Sequence, residues 1–401
     1  MRLVRLAKSW MVAGSILLLP VSALAQHYTQ TNLVTDAATT ATAAHIDANL
    51  KNPWGMARSN SSPWWFSDNS SGLSTLYDGA GNIQSLVVKI PGPKGSPANF
   101  VSAPTGVVFN GTTGFDLTPG DTATAAKFMF VTEDGTISAW AGGSAATLEV
   151  DNSANPTAAD GAVYKGATLA DFGGNTYLYV TNFRSGHVEI YDASFNRVRF
   201  FDRDPAAEIF LNRFGEPFED DRIPRGFAPF NIQNIGGSLF VTYAKQDKAK
   251  HDDVAGDGLG YVDIYSPGGW LEARLEHGPW FNSPWGAVWS PRDFGFFSNR
   301  VLIGNFGSGK IAAFDGFDGQ FVGFMENANG SPIKIDGLWG LTFGNSAIGC
   351  PVPEPAGSTL PKCGSSGPYN WLYFTAGPNG EANGLFGALT AVAAEQDGTH
   401  N

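Results

Sequence analysis

The stretch "SPWGAVWSPRDFGFFSNRVLIGNFGSGKIAAFDGFDGQFVGFME", residues 283–326, decides the fold. It opens on Pro-Trp-Gly and a short apolar run. A second apolar run, "RVLIGN", ends in a polar turn. A third, "KIAAFD", ends in Gly-rich turn residues, and "QFVGFME" is a fourth, more polar run. Short runs rich in aromatic and β-branched residues, separated by Gly, Asn and Asp, read as antiparallel strands joined by tight turns. The same order recurs upstream in "NPWGMARSNSSPWWFSDNSSGLSTLYDG" (from Asn52), "APTGVVFN…KFMFVTEDGTISAWAG" (from Ala103) and "YKGATLADFGGNTYLYVTNFRSGHVEIYDA" (from Tyr164). It recurs again in "APFNIQNIGGSLFVTY…GYVDIYS" (from Ala228) and "GLWGLTFGN…NWLYFTAGPNGEANGLFGALT" (from Gly337). "IQSLVVKI", "NRVRFFD" and "WLEARLE" supply further fourth strands.

One four-stranded sheet cannot bury both faces, whereas six arranged radially bury each other's. Repeats of about 40–60 residues with four strands each therefore predict an all-β, six-bladed β-propeller. The blades fall near residues 52–100, 103–153, 163–204, 226–278, 282–332 and 336–390, in a single domain over 26–395 with a tail at 396–401. Gly55, Gly106, Gly166, Gly286 and Gly340 open the inner strands, where backbones crowd near the axis. The last repeat stops after its third strand. "YTQTNLVT", residues 28–35, is predicted to complete that blade and close the ring, removing open sheet edges.

The first 25 residues read as a secretory signal: Arg2, Arg5 and Lys8, an apolar run, then Ala-Leu-Ala. The expectation is an exported chain, periplasmic or secreted, starting at Gln26 and without a stable membrane anchor. The formal charge of −12 becomes −12 − 3 = −15 once those three cations are removed. Such an acidic chain lacks the clustered Lys and Arg that nucleic acid or anionic membranes require. Cys350 and Cys363 flank a Pro-rich segment and are expected to pair in an oxidising compartment.

The Pro-x-Gly turns and the strands ending Val-Thr/Ser-Asp/Asn resemble NHL-type propeller repeats. "NLVTD", "NLKNPWGMA", "WWFSDNSSGLSTLYDG", "YAKQDKAKHDDVAGDGLGYVDIY" and "LYFTAGPNGEANGLFGAL" resemble an uncharacterised bacterial family of exported β-propellers found in organisms with PEP-CTERM sorting systems. The resemblance spans residues 32–389 and implies fold and export, not an activity. "PVPEPAG", residues 351–357, is internal and reads as a loop.

Propeller function concentrates on the loops joining outer to inner strands and second to third strands. The first set offers Asn52, Asn231, Asn282 and Asp336; the second offers Asp68, Asn69, Glu133, Asp134, Asn182, Asn305 and Asn379. A ring of Asn and Asp oxygens at the channel mouth suits Ca²⁺. Six-bladed calcium-dependent lactonases carry such a ring, an analogy of fold alone. Thr105 and Lys165 interrupt the set in blades two and three. Turn geometry by itself also favours Asn and Asp at these places.

Residues 245–258, "KQDKAKHDDVAGDG", form an enlarged second-to-third loop in blade four, with seven charged residues in fourteen. The charged connector of residues 202–226 lies on the same face. Three readings follow. The loop is a lid in which Lys245, Lys248 and Lys250 meet an anionic ligand and His251 transfers a proton, with Asp247 a further ligand-binding candidate. Or Asp252, Asp253 and Asp257 supply metal carboxylates, although not at EF-hand spacing. Or it is a solvated loop pinned by its own ion pairs. His251, His45 and Asp253 are the candidate proton-transfer groups. Trp54, Trp285 and Trp339 recur at equivalent turns and read as packing under the rim or as a stacking surface for a sugar. The two functional expectations are a binding or interaction module for a small molecule, glycan or protein, and a calcium- or other metal-dependent hydrolase.

Overall fold

The computed structural model describes residues 27–118, 124–200, 216–346 and 365–392. The signal segment, the Cys350–Cys363 pairing, the "PVPEPAG" loop and the first part of the charged connector lie outside the described residues. The described residues form six antiparallel sheets arranged as a six-bladed β-propeller. Inner strands are Pro53–Ala57, Pro104–Phe109, Tyr164–Phe172, Phe227–Ile235, Pro284–Trp289 and Leu338–Phe343. Each touches the next, and the sixth touches the first. In blade four, for example, Phe227–Ile235 pairs with Ser238–Lys245, then Gly260–Tyr265, then Leu271–Arg274. The N-terminal strand Tyr28–Thr35 is antiparallel to Leu385–Ala391 and lies outside it in the sixth sheet. A short strand, His45–Ile46, adds to that edge in parallel, a fifth strand the repeat does not foretell.

The core is divided as a propeller requires. Six apolar clusters each fill one wedge between neighbouring blades. Trp64, Phe66 and Tyr373 fill the wedge between blades six and one; Trp65, Phe128 and Trp140 fill the next. A seventh cluster, Trp54, Phe183, Phe230, Trp285 and Trp339 with Phe306 against it, sits on the axis.

One irregularity recurs in all six blades and builds the site. The register between first and second strands shifts at the start of every inner strand. Such bulges re-aim side chains. At the bulge stand Trp54, Thr105, Lys165, Phe230, Trp285 and Trp339, each followed by Gly except in blade four, where Asn231 takes that place. The small residue is required by crowding. A Cβ on Gly55 would lie 2.5 Å from the Thr105 carbonyl oxygen, and one on Gly166 would lie 2.1 Å from Asn231 Oδ1.

Candidate functional site: a charged cap over a tryptophan plug

The six bulge residues converge at one end of the channel. Trp54 and Trp339 stack with centroids 3.5 Å apart, Trp285 meets both edge-on, and Phe306 stacks on Trp339 at 3.9 Å. This aromatic plug blocks the axis. Its rings are buried against each other, so packing, not sugar stacking, is what the three tryptophans do. Trp285 Nε1 donates to the Lys165 carbonyl oxygen at 3.2 Å, and Trp339 Nε1 donates to Asn52 Oδ1 at 3.0 Å.

Lys165 is the one cation among the six bulge residues, and it is 1% exposed. Its ammonium lies 5.1 Å from the Trp54 ring centre and 5.7 Å from that of Phe183. It donates to Glu133 Oε1 and stands 3.5 Å from Asp252 Oδ1. Burial pulls its pKa down, but Glu133, Asp252 and Asp253 more than offset this and the net shift is upward. Its carboxylate partners therefore favour the charged form of Lys165.

Around it runs a hydrogen-bonded rim. Asn69 Nδ2 donates to Glu133 Oε2 at 2.8 Å, and Asn52 Nδ2 donates to Asn69 Oδ1 at 3.3 Å and to Glu381 Oε2 at 2.8 Å. Burial raises the Glu381, Asp134 and Asp253 carboxyls. His251 Nδ1 lies 2.8 Å from Asp252 Oδ1. That bond, with Glu133 assisting against desolvation, raises His251; the same bond, with Lys165, holds Asp252 down at about 2. Glu133, His251 and Asp252 each present a ligand atom within 4.8 Å of the others.

The enlarged blade-four loop is stitched down over this mouth. Asp247 Oδ1 accepts from the His251 and Asp252 amides, Asn282 Oδ1 accepts from the Gly256 amide, and Asn282 Nδ2 donates to Asp257 Oδ1. Its basic residues do not reach the cluster. Lys245 Nζ lies over the Phe227 ring and against the Arg225 carbonyl, while Lys248 and Lys250 are exposed. The loop therefore contributes His251, Asp252 and Asp253, and the cation comes from blade three.

The Asn/Asp ring is not assembled. Relative to the bulge residue, Asn52 stands two places before, Asn282 and Asp336 three before, and Asn231 one after, so they occupy three different positions. Asn231 Nδ2 bonds the Trp285 carbonyl, Asn282 pins the loop, and Asp336 is exposed and accepts from the Asn379 amide. Asn182 and Asn305 each hold their own turns. His45 lies on the outer edge of blade six, paired with Val34, away from the mouth. Lys165 and Glu381 are what sequence reasoning passed over. The signal for Lys165 was present: one cation at a position that is otherwise aromatic or Thr. Glu381 carried none, since it sits in a turn shaped by its own left-handed backbone at φ 68°.

No helix among the described residues is long and apolar enough to cross a membrane. No protein-family model matches the chain. Among solved structures, an α-L-arabinanase of Penicillium chrysogenum complexed with arabinobiose aligns with 90% of this chain and 98% of its own, at 12% identity and a TM-score of 0.49. Virginiamycin B lyase of Staphylococcus aureus aligns with 91% and 99%, at 10% identity and a TM-score of 0.44. Uncharacterized protein L690 of Acanthamoeba polyphaga mimivirus is 30% identical over 318 residues, 75% of each chain. Uncharacterized protein R648 of the same virus is 30% identical over 312 residues, 75% of this chain and 70% of its own. This chain belongs to one family with those two mimivirus proteins.

Proposed function

We propose that the protein is an exported binding module whose ligand-recognising surface is the charged cap over the tryptophan plug. The observation that carries this reading is Lys165, a fully buried ammonium held between Glu133 and Asp252 on an aromatic floor. Around it Glu133, Asp134, Asp252, Asp253 and Glu381 outnumber Lys165 and His251. A carboxylate surplus at the mouth favours a cationic ligand, such as an organic amine. The plug makes this a surface site and not a conduit. The test is titration calorimetry with cadaverine and spermidine on wild type and on Glu133→Gln. Saturable binding by wild type that Glu133→Gln weakens at least about tenfold supports the proposal. No binding of either amine by folded wild type overturns it.

A second reading, a metal-dependent hydrolase, is favoured by the mutual proximity of Glu133, His251 and Asp252. Two carboxylates and an imidazole suit a transition metal better than Ca²⁺, which wants six or more oxygens. Lys165 would have to yield its place. Metal analysis of the purified protein with melts plus and minus chelator separates the two: a stoichiometric ion whose removal lowers the melt selects the hydrolase.

A further inference from the structure

A second buried charge cluster lies away from the mouth, where residues 216–226 pack into the wedge between blades three and four. Asp263, 2% exposed, lies on the third strand of blade four, directly across the ladder from Arg274 on the outer strand. Asp220, from the connector, has a side chain 2% exposed. Arg274 grips Asp220 with two nitrogens, Nε to Oδ2 and Nη2 to Oδ1. Arg274 thus brings the Asp220 and Asp263 carboxyls together in the wedge, and the Asp220 charge acts on Asp263. Two carboxylates so close and so buried repel each other, which favours holding one proton between them. Tyr265 donates to Asp263 Oδ2 at 3.2 Å, and Tyr243 on the second strand lies 2.8 Å from Tyr265 through their hydroxyls. Among the described residues, one guanidinium and two neutral phenols face the two acids. Loss of the shared proton leaves two buried anions against one cation.

We propose that the Asp220–Asp263 carboxyl pair is a proton-operated latch, which holds residues 216–226 in the wedge while the pair shares a proton and releases them when it is lost. The step is simple: the Asp263 O–H bond breaks, the proton leaves to solvent, and like-charge repulsion replaces the shared proton. Burial and the neighbouring Asp220 push the Asp263 carboxyl up to about 7, so release falls in the neutral range. Asp220 itself stays ionised: Arg274 and the Arg222 amide more than offset its burial. What the latch holds is small. The Phe218 amide bonds the Gly269 carbonyl, and the Phe218 ring lies between Tyr179 and Tyr265. The segment then runs to Gly226, whose carbonyl accepts from the Gln246 amide at the base of the mouth loop. Release therefore loosens one anchor of the loop that carries His251 and Asp252.

Hydrogen exchange by mass spectrometry tests this. Protection of residues 216–226, taken relative to the core amide of Val241 to remove intrinsic rate effects, is measured from about pH 5.5 to about pH 8.5. Wild type is expected to lose at least about tenfold in relative protection across that range. Asp263→Asn keeps a donor to Asp220 but cannot titrate, and its relative protection is expected to be flat. Constant protection in wild type, or an undiminished slope in Asp263→Asn, overturns the latch. If Asp263→Asn does not fold, infrared titration of wild type decides: a buried protonated-carboxyl band that vanishes through neutrality supports the proposal, and its absence refutes it.

Discussion

Lys165 shows how one residue changes the meaning of a repeat. Five of the six bulge positions carry Trp, Phe or Thr, and the sixth carries a charge that burial should forbid. It is tolerated because Glu133 and Asp252 neutralise it and the faces of Trp54 and Phe183 lie alongside. Removing one partner of such a pair leaves an uncompensated buried charge. Lys165→Met is therefore expected to lower unfolding stability by about 3–5 kcal/mol, read by urea denaturation. In the Glu133→Gln background the same change should cost clearly less; equal costs would mean that the pair is not coupled. Gly166 is a second point of tension, because Asn231 stands in its Cβ space. Gly166→Ala should destabilise by about 1–3 kcal/mol through overpacking. Asn231→Gly, which restores the residue of the other blades, should recover most of that loss.

The enlarged blade-four loop was legible as an element but not in its contacts. Its charge density and its place between strands Ser238–Lys245 and Gly260–Tyr265 announced a loop on the mouth face. Which of its residues face the axis depended on Asp247 folding the chain back and on Asn282 fixing its end, neither of which spacing reveals. Asn282→Ala removes the acceptor for the Gly256 amide and the donor to Asp257. Faster exchange of the loop amides, with the blade-four ladder unchanged, is expected. If the ladder loosens as well, Asn282 supports the blade and not the loop. Replacing residues 247–252 by a short Gly linker removes Asp252, one of the two carboxylates that neutralise Lys165, so it should lower the melting temperature as well as abolish amine binding at the cap.

At the scale of the molecule, the N-terminal strand supplies the outer edge of the sixth blade through its ladder with Leu385–Ala391. Deleting residues 28–35 should expose that ladder and the core residues Phe386 and Ala388, which share a cluster with Leu33 and Val34. Self-association by size-exclusion chromatography and a lower melt should follow; a monomer melting like wild type would show the strand to be dispensable. Stability should also depend on pH in a definite direction. Asp263 is raised from 3.8 to about 7, and Asp68 is raised well above its ordinary value, in both cases first by burial. The native state thus keeps protons that the unfolded chain has already lost. Stability contributed by Asp263 is full below about pH 4 and declines as pH rises to about 7, and Asp68 acts in the same direction. Melting temperatures at about pH 5 should exceed those at about pH 8, and a flat profile would contradict the burial of these acids.

The amino-acid sequence by itself determined the six repeats, their four-strand order and the crowded inner-strand glycines. Those are local patterns, repeated, and repetition makes them readable. It did not determine the site. The cap joins Asn52 and Asn69 of blade one, Glu133 of blade two, Lys165 of blade three, the loop of blade four and Glu381 of blade six. The plug beneath it exists only because a bulge in every blade turns one side chain toward a common axis. Residues more than two hundred positions apart become neighbours only when the ring is built, so tertiary structure decided which charges meet, which asparagines remain turn residues, and where a ligand would find the surface.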